Sequence, residues 1–152
     1  MQTNFAYYKC ELGFVKIGYT DTVIFIELTD KPDSENTPSE LSDTAFSQIR
    51  EYLDGKRKSF DFPMKLSGTD FGQRCLRALL DVPYGSTASY KDIAAAIGNP
   101  GACRAVGSAC NKNPLWIAVP CHRIIASDGS LGGYEGGLRI KKHLLKLEKE
   151  NK

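Results

Sequence analysis

The stretch SYKDIAAAIGNPGACRAVGSACN, residues 89–111, decides how the second half of the chain folds. Ser89, followed three residues later by Asp92, is the pattern of a capping box that begins a helix. The GNPG of residues 98–101 interrupts that helix, and residues 102–111 predict a second one made mostly of small residues. Two short helices across a tight break are the outline of a helix-turn-helix, although any helical hairpin has a similar outline.

Helical patterns continue on both sides of this stretch. Thr69 or Ser67 is placed to cap a helix over residues 70–81, and Pro83 stops it. Residues 138–150 have the apolar spacing of a last amphipathic helix. Between these helices, the apolar residues 115–119 are compatible with a short strand, and a glycine-rich loop follows over residues 128–137.

The first part of the chain has a different pattern. Apolar, β-rich runs over residues 5–17 and 22–28 predict a meander or hairpin, and a helix is expected over 41–54 with Ser42 as its N-cap. Residues 56–68 form a connection. We therefore predict an α/β domain over residues 1–66 and a mainly helical domain over residues 67–152.

Charge divides the chain at the same place. Residues 1–66 carry 8 Lys and Arg against 11 Asp and Glu, a net of −3, and residues 67–152 carry 12 against 7, a net of +5. A basic second part indicates contact with a polyanion such as nucleic acid, or else an unevenly charged solvated surface.

Length and composition exclude several classes of protein. The 152 residues are 41% hydrophobic and 25% charged, the balance of a globular chain. No apolar run approaches the roughly 18 residues that cross a bilayer, and the N-terminus lacks the pattern of a secretory signal. We expect a reducing intracellular compartment, cytoplasmic or nuclear, and no membrane partner. Five cysteines, an odd and widely spaced set, fit that expectation.

Cys121 is the cysteine with the most reactive surroundings, because His122 and Arg123 follow it directly. A nearby base or positive charge raises the thiolate fraction, and the thiolate is the nucleophile. In an extended segment adjacent side chains point apart, so His122 would reach Cys121 only through a turn or a water. A histidine base needs an orienting partner, and Glu148 is the candidate. The alternative is that Cys121 fills the core and His122 is a capping or surface residue.

Arg104 is the one long cation in a helix of Ala, Gly, Ser and Cys. Small residues permit close backbone approach to a shallow or narrow surface, and an arginine there could bind phosphate or insert among bases. A salt bridge on a solvated face is the other interpretation.

These motifs together resemble the O6-alkylguanine-DNA alkyltransferases. The residues VPCHRII at 119–125 are similar to that family's signature, and comparable segments surround them: PYG at 83–85, SY at 89–90, GNP at 98–100, RAVG at 104–107, NP at 113–114 and GGYEGGL at 132–138. The resemblance is dense over residues 67–149. Residues 1–66 match only in length and coarse pattern.

The resemblance implies a fold and an activity. The fold would be an α/β N-terminal domain with a ribonuclease-H-like sheet, followed by a mainly α domain with a winged helix-turn-helix. The activity would be DNA repair by direct reversal: a monomer binds duplex DNA in the minor groove, flips out an O6-alkylguanine, or an O4-alkylthymine, and moves the alkyl group irreversibly to its own cysteine. No cofactor is implied.

Roles for particular residues are also implied by position. Cys121 resembles the alkyl acceptor, and His122 the water-mediated base that Glu148 orients. Tyr90 resembles the residue that helps to rotate the nucleotide and protonates the leaving base, Arg104 the finger that replaces the base in the stack, and Asn113 the hinge. The remaining expected contacts are with DNA for Ala102, Ser108 and Arg123, and with the guanine pocket for Trp116, Ile124, Tyr134, Glu135 and Lys141. Core or rim packing is the alternative for Tyr134 and Trp116.

The sequence departs from the family pattern in three places. Glu135 stands where some members have a small hydroxyl residue, and we expect the backbone N–H there to contact the lesion oxygen instead. Trp116 stands where some have proline, which would narrow the pocket. The first domain has only Cys10 and no histidine, so we expect none of the zinc that some relatives carry.

Two other functions fit parts of this pattern. A non-enzymatic module that binds alkylated guanine would lack the acceptor cysteine, which is present here as Cys121. A Cys-His hydrolase acting on peptides or esters would turn over repeatedly and would not depend on DNA. The basic second part of the chain argues against the hydrolase.

Overall fold

A computed structural model describes residues 2–132 and 137–152. The chain forms two compact units, which are described separately below. One unit contains the residues up to Ser67 together with Pro114–Ala118, and the other contains Gly68–Asn113 and Val119–Lys152. The predicted single boundary after residue 66 does not include this return of residues 114–118 to the first unit.

A three-stranded antiparallel sheet is the centre of the first unit. Its strands β1 (Asn4–Cys10), β2 (Gly13–Tyr19) and β3 (Val23–Thr29) are hydrogen-bonded in chain order. The single apolar run 5–17 is therefore two strands, folded back on each other where Gly13 has φ +126°. A Cβ at Gly13 would lie 2.9 Å from the Thr29 carbonyl oxygen, so the hairpin requires glycine there.

The helix α1 (Glu40–Leu53) packs against this sheet. Its N-cap is Ser39 and not Ser42, which corrects the sequence prediction. Ser42 is the third helical residue, and its hydroxyl accepts from the Ser39 N–H while the Ser39 hydroxyl accepts from the Ser42 N–H. Two serines at this spacing form a reciprocal capping box, and sequence alone does not say which of them lies outside the helix. Its apolar face is buried and consists of Ala45, Phe46, Ile49 and Leu53.

Residues 114–118 add a single bridge to β3 and are not the short strand that the sequence allows. Ile26 donates its N–H to the Pro114 carbonyl at 2.8 Å and accepts from the Trp116 N–H at 3.1 Å. The backbone then turns sharply, since Ile117 has φ +69° and the Ala118 N–H donates to the Trp116 carbonyl at 2.8 Å. That turn ends the pairing.

Four helices make up most of the second unit. They are α2 (Asp70–Leu80), α3 (Tyr90–Ala96), α4 (Cys103–Asn111) and α5 (Leu138–Glu150). Thr69 caps α2 and the predicted Ser89–Asp92 capping box begins α3. Helices α2, α3 and α4 contact one another. The short strands β4 (Ala88–Ser89) and β5 (Ile124–Ile125) pair in parallel beside them.

The coarse prediction of an α/β chain with a small sheet and a helical second part is therefore confirmed. No helix in residues 2–132 or 137–152 has the length and apolarity to cross a membrane.

Candidate active site

Cys121, His122 and Arg123 form one turn of 3₁₀ helix between Pro120 and β5. The Cys121 N–H donates to the Val119 carbonyl at 2.8 Å, and the Arg123 N–H donates to the Pro120 carbonyl at 2.9 Å. Of the two possibilities that the sequence left open for Cys121 and His122, a turn or a water, the structure therefore has the turn. In an extended segment successive side chains would point to opposite faces, whereas this turn buries all three consecutive side chains in the second unit.

The carboxylate of Glu148, on α5, is the centre of the polar contacts around this turn. His122 Nε2 lies 2.6 Å from Glu148 Oε2. Arg123 donates to both carboxylate oxygens, from Nε to Oε1 at 2.8 Å and from Nη2 to Oε2 at 2.9 Å. The backbone N–H of Gly85 donates to Oε1 at 3.1 Å. Glu148 is 1% exposed, and the hydrogen bonds from these donors offset the cost of burying its negative charge.

The contacts of Glu148 decide which tautomer His122 adopts. The Glu148 carboxylate is ionised beside Arg123, and an ionised carboxylate can only accept hydrogen bonds. The proton of the His122 imidazole therefore lies on Nε2, and the lone pair lies on Nδ1. Burial lowers the pKa of His122, although the hydrogen bond and the charge of Glu148 oppose that effect. The imidazole is therefore neutral at pH 7, with Nδ1 as its basic atom.

Arg123 is a buried structural residue, which corrects the expectation that it contacts DNA. Besides its bonds to Glu148, it donates from Nη1 to the Val82 carbonyl at 2.8 Å. Its guanidinium carbon lies 5.6 Å from the centre of the Tyr84 ring. Only 8% of the residue is exposed. The guanidinium neutralises Glu148 and is not presented to a partner.

The Cys121 side chain is buried among polar groups of the second unit. Cys110, at the end of α4, and the side chain of Asn113 lie near this thiol and affect its ionisation. The neighbouring Cys110 thiol and burial raise the pKa of Cys121, while Asn113 and the positive charge of Lys141 lower it. Cys121 is consequently a protonated thiol that needs a base before it can attack.

Lys141 lies near this thiol pair and is fully buried on α5. Its ammonium group donates to the Leu131 carbonyl. Burial lowers the pKa of Lys141, and the nearby Cys121 and Cys110 oppose that effect because a thiolate favours the charged ammonium. A thiolate formed at Cys121 would thus find a positive charge in its surroundings.

Tyr90 lies between two glycines, one on α4 and one on the loop after β5. A Cβ added to Gly132 would be 2.7 Å from the Tyr90 hydroxyl oxygen, and one added to Gly107 would be 3.5 Å from the ring. The hydroxyl therefore points to the loop that contains Gly132. No larger residue than glycine fits beside it at position 132.

Helix α4 presents small residues and one cation to solvent. Arg104, Ala105 and Ser108 are exposed, and Ala102 is the half-buried N-cap. Asn113 follows the helix, and its Nδ2 donates to the Val119 carbonyl at 3.0 Å, which ties the end of α4 to the residues before Cys121.

The remaining residues expected in the pocket are placed as follows. Ile124 is buried in β5 opposite Ala88. Trp116 is buried in the segment that belongs to the first unit, and its indole N–H has no hydrogen-bond partner among the described residues. Tyr134 and Glu135 lie outside the described residues. Within the described part of the chain, no cluster of three or more His, Cys, Asp or Glu side chains could hold a metal ion.

Two contributors to the site were not predicted from the sequence. Cys110 received no separate prediction, although its spacing of four residues from Val106 places it on the buried face of α4. The Gly85 N–H carries no sequence signal for its bond to Glu148, since it depends on a contact 63 residues away.

Comparison with known proteins extends this description. The sequence model of a family described as 6-O-methylguanine DNA methyltransferase, DNA binding domain, matches residues 70–150. The chain is 52% identical over 107 residues to the methylated-DNA–protein-cysteine methyltransferase of Methanosarcina barkeri, an alignment that covers 70% of this chain and 68% of the relative. It is 52% identical over 102 residues to the inducible enzyme of that name from Bacillus subtilis, covering 67% and 57%.

A similar structure covers nearly the whole chain. The crystal structure of Mycobacterium tuberculosis OGT in complex with DNA superimposes with a TM-score of 0.89 at 38% identity, over 97% of this chain and 94% of that one. The family match includes the 3₁₀ turn, α4 and all of α5, the elements that carry the buried site. The chain therefore belongs to the 6-O-methylguanine DNA methyltransferase family.

Proposed function

We propose that the protein repairs DNA by transferring the alkyl group of an O6-alkylguanine, and of an O4-alkylthymine, irreversibly to its own Cys121. The observation that carries this proposal is the buried pair of His122 and Glu148 directly beside the one cysteine that lies in the 3₁₀ turn. The names of the similar proteins support it, since they describe transfer from methylated DNA to a protein cysteine.

The first step is removal of the thiol proton. Because Glu148 accepts the Nε2 proton of His122, the lone pair on Nδ1 is available as base, either directly or through one water molecule. The Asn113 amide and the Lys141 charge then stabilise the thiolate of Cys121. Glu148 acts by fixing the tautomer and orientation of His122.

The second step is an in-line displacement at the alkyl carbon. The sulfur of Cys121 forms a bond to carbon as the bond from carbon to the base oxygen breaks, and the hydroxyl of Tyr90 supplies a proton to the departing base. The net result is an unmodified base and a thioether. The thioether is not reversed in this proposal, so each protein molecule acts once, and the transfer uses no cofactor.

The exposed face of α4 is the surface that we assign to DNA. Ala102, Ala105 and Ser108 allow the backbone to approach a narrow minor groove, and Asn113 joins this helix to the active-site turn. Arg104 then occupies the place of a base that has rotated out of the stack. A similar protein crystallised in complex with DNA supports this assignment.

Finer features of the architecture belong to the same proposal. We assign α3 and α4 to a helix-turn-helix, with β5 and the turn closed by the bond from the Ala126 N–H to the Ser130 carbonyl as its wing. The sheet β1–β3 would be the ribonuclease-H-like part of an N-terminal domain ending at residue 66. The protein would act as a monomer in the cytoplasm, or in the nucleus of a eukaryotic cell.

The test is a single-turnover mass measurement. The protein is incubated with duplex DNA that contains one O6-methylguanine, digested with trypsin, and the peptide spanning residues 113–123 is weighed. We expect one methyl group per protein molecule on Cys121 and none in the Cys121→Ser variant. Cys103→Ser, on the same helix as Cys110 but half-exposed, is the matched control and should still become methylated.

Other outcomes identify the two alternatives. Tight binding with no change in mass would indicate a non-enzymatic binding module. Repeated hydrolysis of an ester without DNA would indicate a Cys-His hydrolase. We also expect His122→Ala to slow transfer while DNA affinity stays nearly the same, and an equal loss of both would count against its role as base.

A further inference from the structure

The exposed side of α5 carries a stripe of positive charge. The residues that this helix buries lie on one side of it: Ile140, Lys141, Leu144 and Glu148. The cations that it exposes, called the α5 stripe below, are Arg139, Lys142, Lys146 and Lys149. At 100° per residue the four cations fall within a sector of about 80°, almost opposite the buried residues. From its first to its last cation the stripe is about 15 Å long.

Most of the excess positive charge of the second part of the chain lies in this stripe. Residues 67–152 carry a net charge of +5, and the four cations of the stripe contribute +4. Glu150 is the only acidic side chain exposed on α5, all of whose residues the structure describes. Helix α4, which we assign to DNA, has a single cation, Arg104. A contact through α4 alone therefore leaves most of this positive charge without a partner of opposite sign.

The stripe does not stabilise the helix that carries it. Arg139 lies in the first turn, where the positive end of the helix dipole disfavours a cation and where no acidic residue is present. Lys142 and Lys146 are four residues apart, and like charges at this spacing destabilise a helix. Lys146 pairs with Glu150 at 3.8 Å, but both side chains are mostly exposed, so the pair contributes little. An external anion would relieve the repulsion within the stripe.

We propose that the α5 stripe is a second DNA-binding surface, which contacts the phosphate backbone of duplex DNA whether or not a lesion is present. Lysine binds phosphate as a point charge on a flexible stem, so the contact requires no exact fit between the two surfaces. Each phosphate that a cation neutralises releases counterions, which makes the affinity depend strongly on salt. The inference rests on the proposed function only in taking DNA as the partner.

The chemistry of the stripe favours a nucleic acid over a membrane or a protein. A helix that lies in a membrane surface inserts its apolar face, but Ile140 and Leu144 of α5 are buried within the second unit. Protein interfaces are depleted in lysine and depend on aromatic anchors. Three of the four cations in the stripe are lysines, and α5 contains no Phe, Tyr or Trp. A row of phosphates is the partner that such a surface fits.

A lysine footprint on the full-length, unmodified protein locates the contact. Surface amines are acetylated briefly with and without a duplex that contains no lesion, and the peptides are weighed after digestion. We expect DNA to protect the three lysines of the stripe from acetylation. The exposed lysines of the first unit should be acetylated equally with and without DNA: Lys9, Lys31, Lys56 and Lys65. Equal acetylation of the stripe in both samples would overturn the proposal.

Replacement of all four cations of the stripe by glutamine measures their share of the affinity. Glutamine has nearly the same helix propensity as lysine and arginine, so α5 should be retained, which circular dichroism checks. At low salt we expect the affinity for a duplex without a lesion to fall by about 10–100-fold, and the slope of the logarithm of the binding constant against the logarithm of salt concentration to decrease in magnitude by about 2–4. A duplex with one O6-methylguanine should show the same loss, because a phosphate contact does not report on the base.

Two further variants separate the position of the charges from their number. The matched control removes four exposed lysines of the first unit: Lys9→Gln, Lys31→Gln, Lys56→Gln and Lys65→Gln. It changes the net charge equally but should affect the affinity far less, because exposed charges beyond a Debye length of about 10 Å are screened. Replacement of the three stripe lysines by arginine keeps their charge and should keep the affinity of the unmodified protein.

Three results would assign the stripe to something else and overturn the proposal. Equal losses in the stripe variant and the matched control would show that net charge alone governs binding. A loss seen only on a long duplex that holds several protein molecules would indicate a contact between copies of the chain. Unchanged DNA affinity with lost binding to phosphatidylserine vesicles would indicate a membrane surface.

The outcomes also distinguish this inference from the proposed function. A stripe variant that binds DNA as the unmodified protein does, and whose Cys121 still accepts a methyl group, would overturn the second surface and leave alkyl transfer in place. Loss of binding in the stripe variant, in a protein whose Cys121 never gains a methyl group from O6-methylguanine DNA, would retain the surface and overturn the alkyl-transfer function.

Discussion

His122 Nε2 and Glu148 Oε2 lie 2.6 Å apart, and both side chains are almost completely buried, at 0% and 1% exposure. The contact joins the 3₁₀ turn to a helix that begins 15 residues after the turn ends. Because both side chains are buried, bulk water cannot replace either partner of this hydrogen bond. The pair therefore supports the fold of the second unit and the tautomer of the base at the same time.

Replacement of Glu148 tests this double role. We expect Glu148→Gln to lower the free energy of unfolding by about 3 kcal/mol, because Arg123 would remain buried without its counter-charge. Alkyl transfer should fall as well, since a glutamine can also donate to His122 and no longer selects one tautomer. Urea denaturation and single-turnover transfer are the measurements. Glu150→Gln, exposed on the same helix, should change neither by more than about 0.5 kcal/mol.

The pH dependence of stability should carry the signature of His122. Burial lowers its pKa in the folded protein, whereas the unfolded chain has the ordinary value of about 6.5. Below that pH the unfolded state binds the extra proton, so the free energy of unfolding decreases as pH falls toward the folded pKa. The slope should approach, and not exceed, about 1.4 kcal/mol per pH unit.

Urea denaturation between about pH 7.5 and 5 measures this slope, above the range in which carboxylates take up protons. The His122→Asn variant should show a flatter curve, and the exposed His143→Gln variant should keep the slope of the original protein. A curve that is unchanged in His122→Asn would show that another group is responsible.

The parts of the fold that local sequence determines were predicted well. Helix α3 begins at the predicted Ser89–Asp92 capping box and α2 has the predicted cap at Thr69, because each cap depends on residues within one turn. The partner of His122 was predicted by its chemistry, since a histidine base needs an orienting carboxylate and Glu148 lies on the predicted last helix.

Long-range contacts explain what was not predicted. Arg123 is a basic residue of the type that contacts DNA, but in the structure it binds Glu148 and the Val82 carbonyl, 41 residues away. No local sequence pattern predicts these two contacts. The bridge from Ile26 to residues 114–118 is of the same kind. Such pairings are decided by which surfaces meet in the folded chain, and periodicity along the sequence does not record them.

Arg104 on α4 should contribute to DNA affinity in one of two distinguishable ways. Arg104→Ala is expected to weaken binding to duplex DNA by about 1–3 kcal/mol. If the guanidinium binds phosphate, the slope of the logarithm of the binding constant against the logarithm of salt concentration should decrease in magnitude by about one. If it fills the space left by a flipped base, the slope stays the same and the loss is larger on alkylated than on unmodified duplex.

Fluorescence anisotropy at several salt concentrations separates these outcomes. Lys31→Ala removes the same charge from an exposed loop of the first unit and is the matched control, with affinity expected to change little. Equal losses in the two variants would show that net charge alone, and not the position on α4, governs binding.

Asn113 should be needed for both stability and thiol chemistry. Asn113→Ala removes the bond to the Val119 carbonyl and the amide near Cys121, and should cost about 0.5–1.5 kcal/mol because that carbonyl loses one of its two donors. The reaction of Cys121 with iodoacetamide at a fixed pH should also slow, since the amide lowers the pKa of that thiol. The exposed Asn111→Ala, two residues earlier, is the control and should leave both measurements unchanged.

The backbone at Ile117 offers a direct measurement of strain. A β-branched residue at φ +69° is unfavourable, and the bond from the Ala118 N–H to the Trp116 carbonyl closes a γ-turn of the rare positive-φ form around it. Ile117→Ala and Ile117→Gly both remove a side chain that is 2% exposed, so their losses of packing are nearly equal. They differ in that alanine keeps a Cβ at this φ and glycine does not.

We therefore expect Ile117→Gly to be more stable than Ile117→Ala in urea, by about 0.5–1 kcal/mol. Relief of about 1–2 kcal/mol of strain at positive φ exceeds the cost of about 0.5–1 kcal/mol for ordering a glycine. At Ala118, which is not at positive φ, the order should reverse, and Ala118→Gly should destabilise the protein by about 1 kcal/mol. An alanine variant at 117 that is as stable as the glycine variant would mean that the turn relaxes to an ordinary backbone conformation in solution.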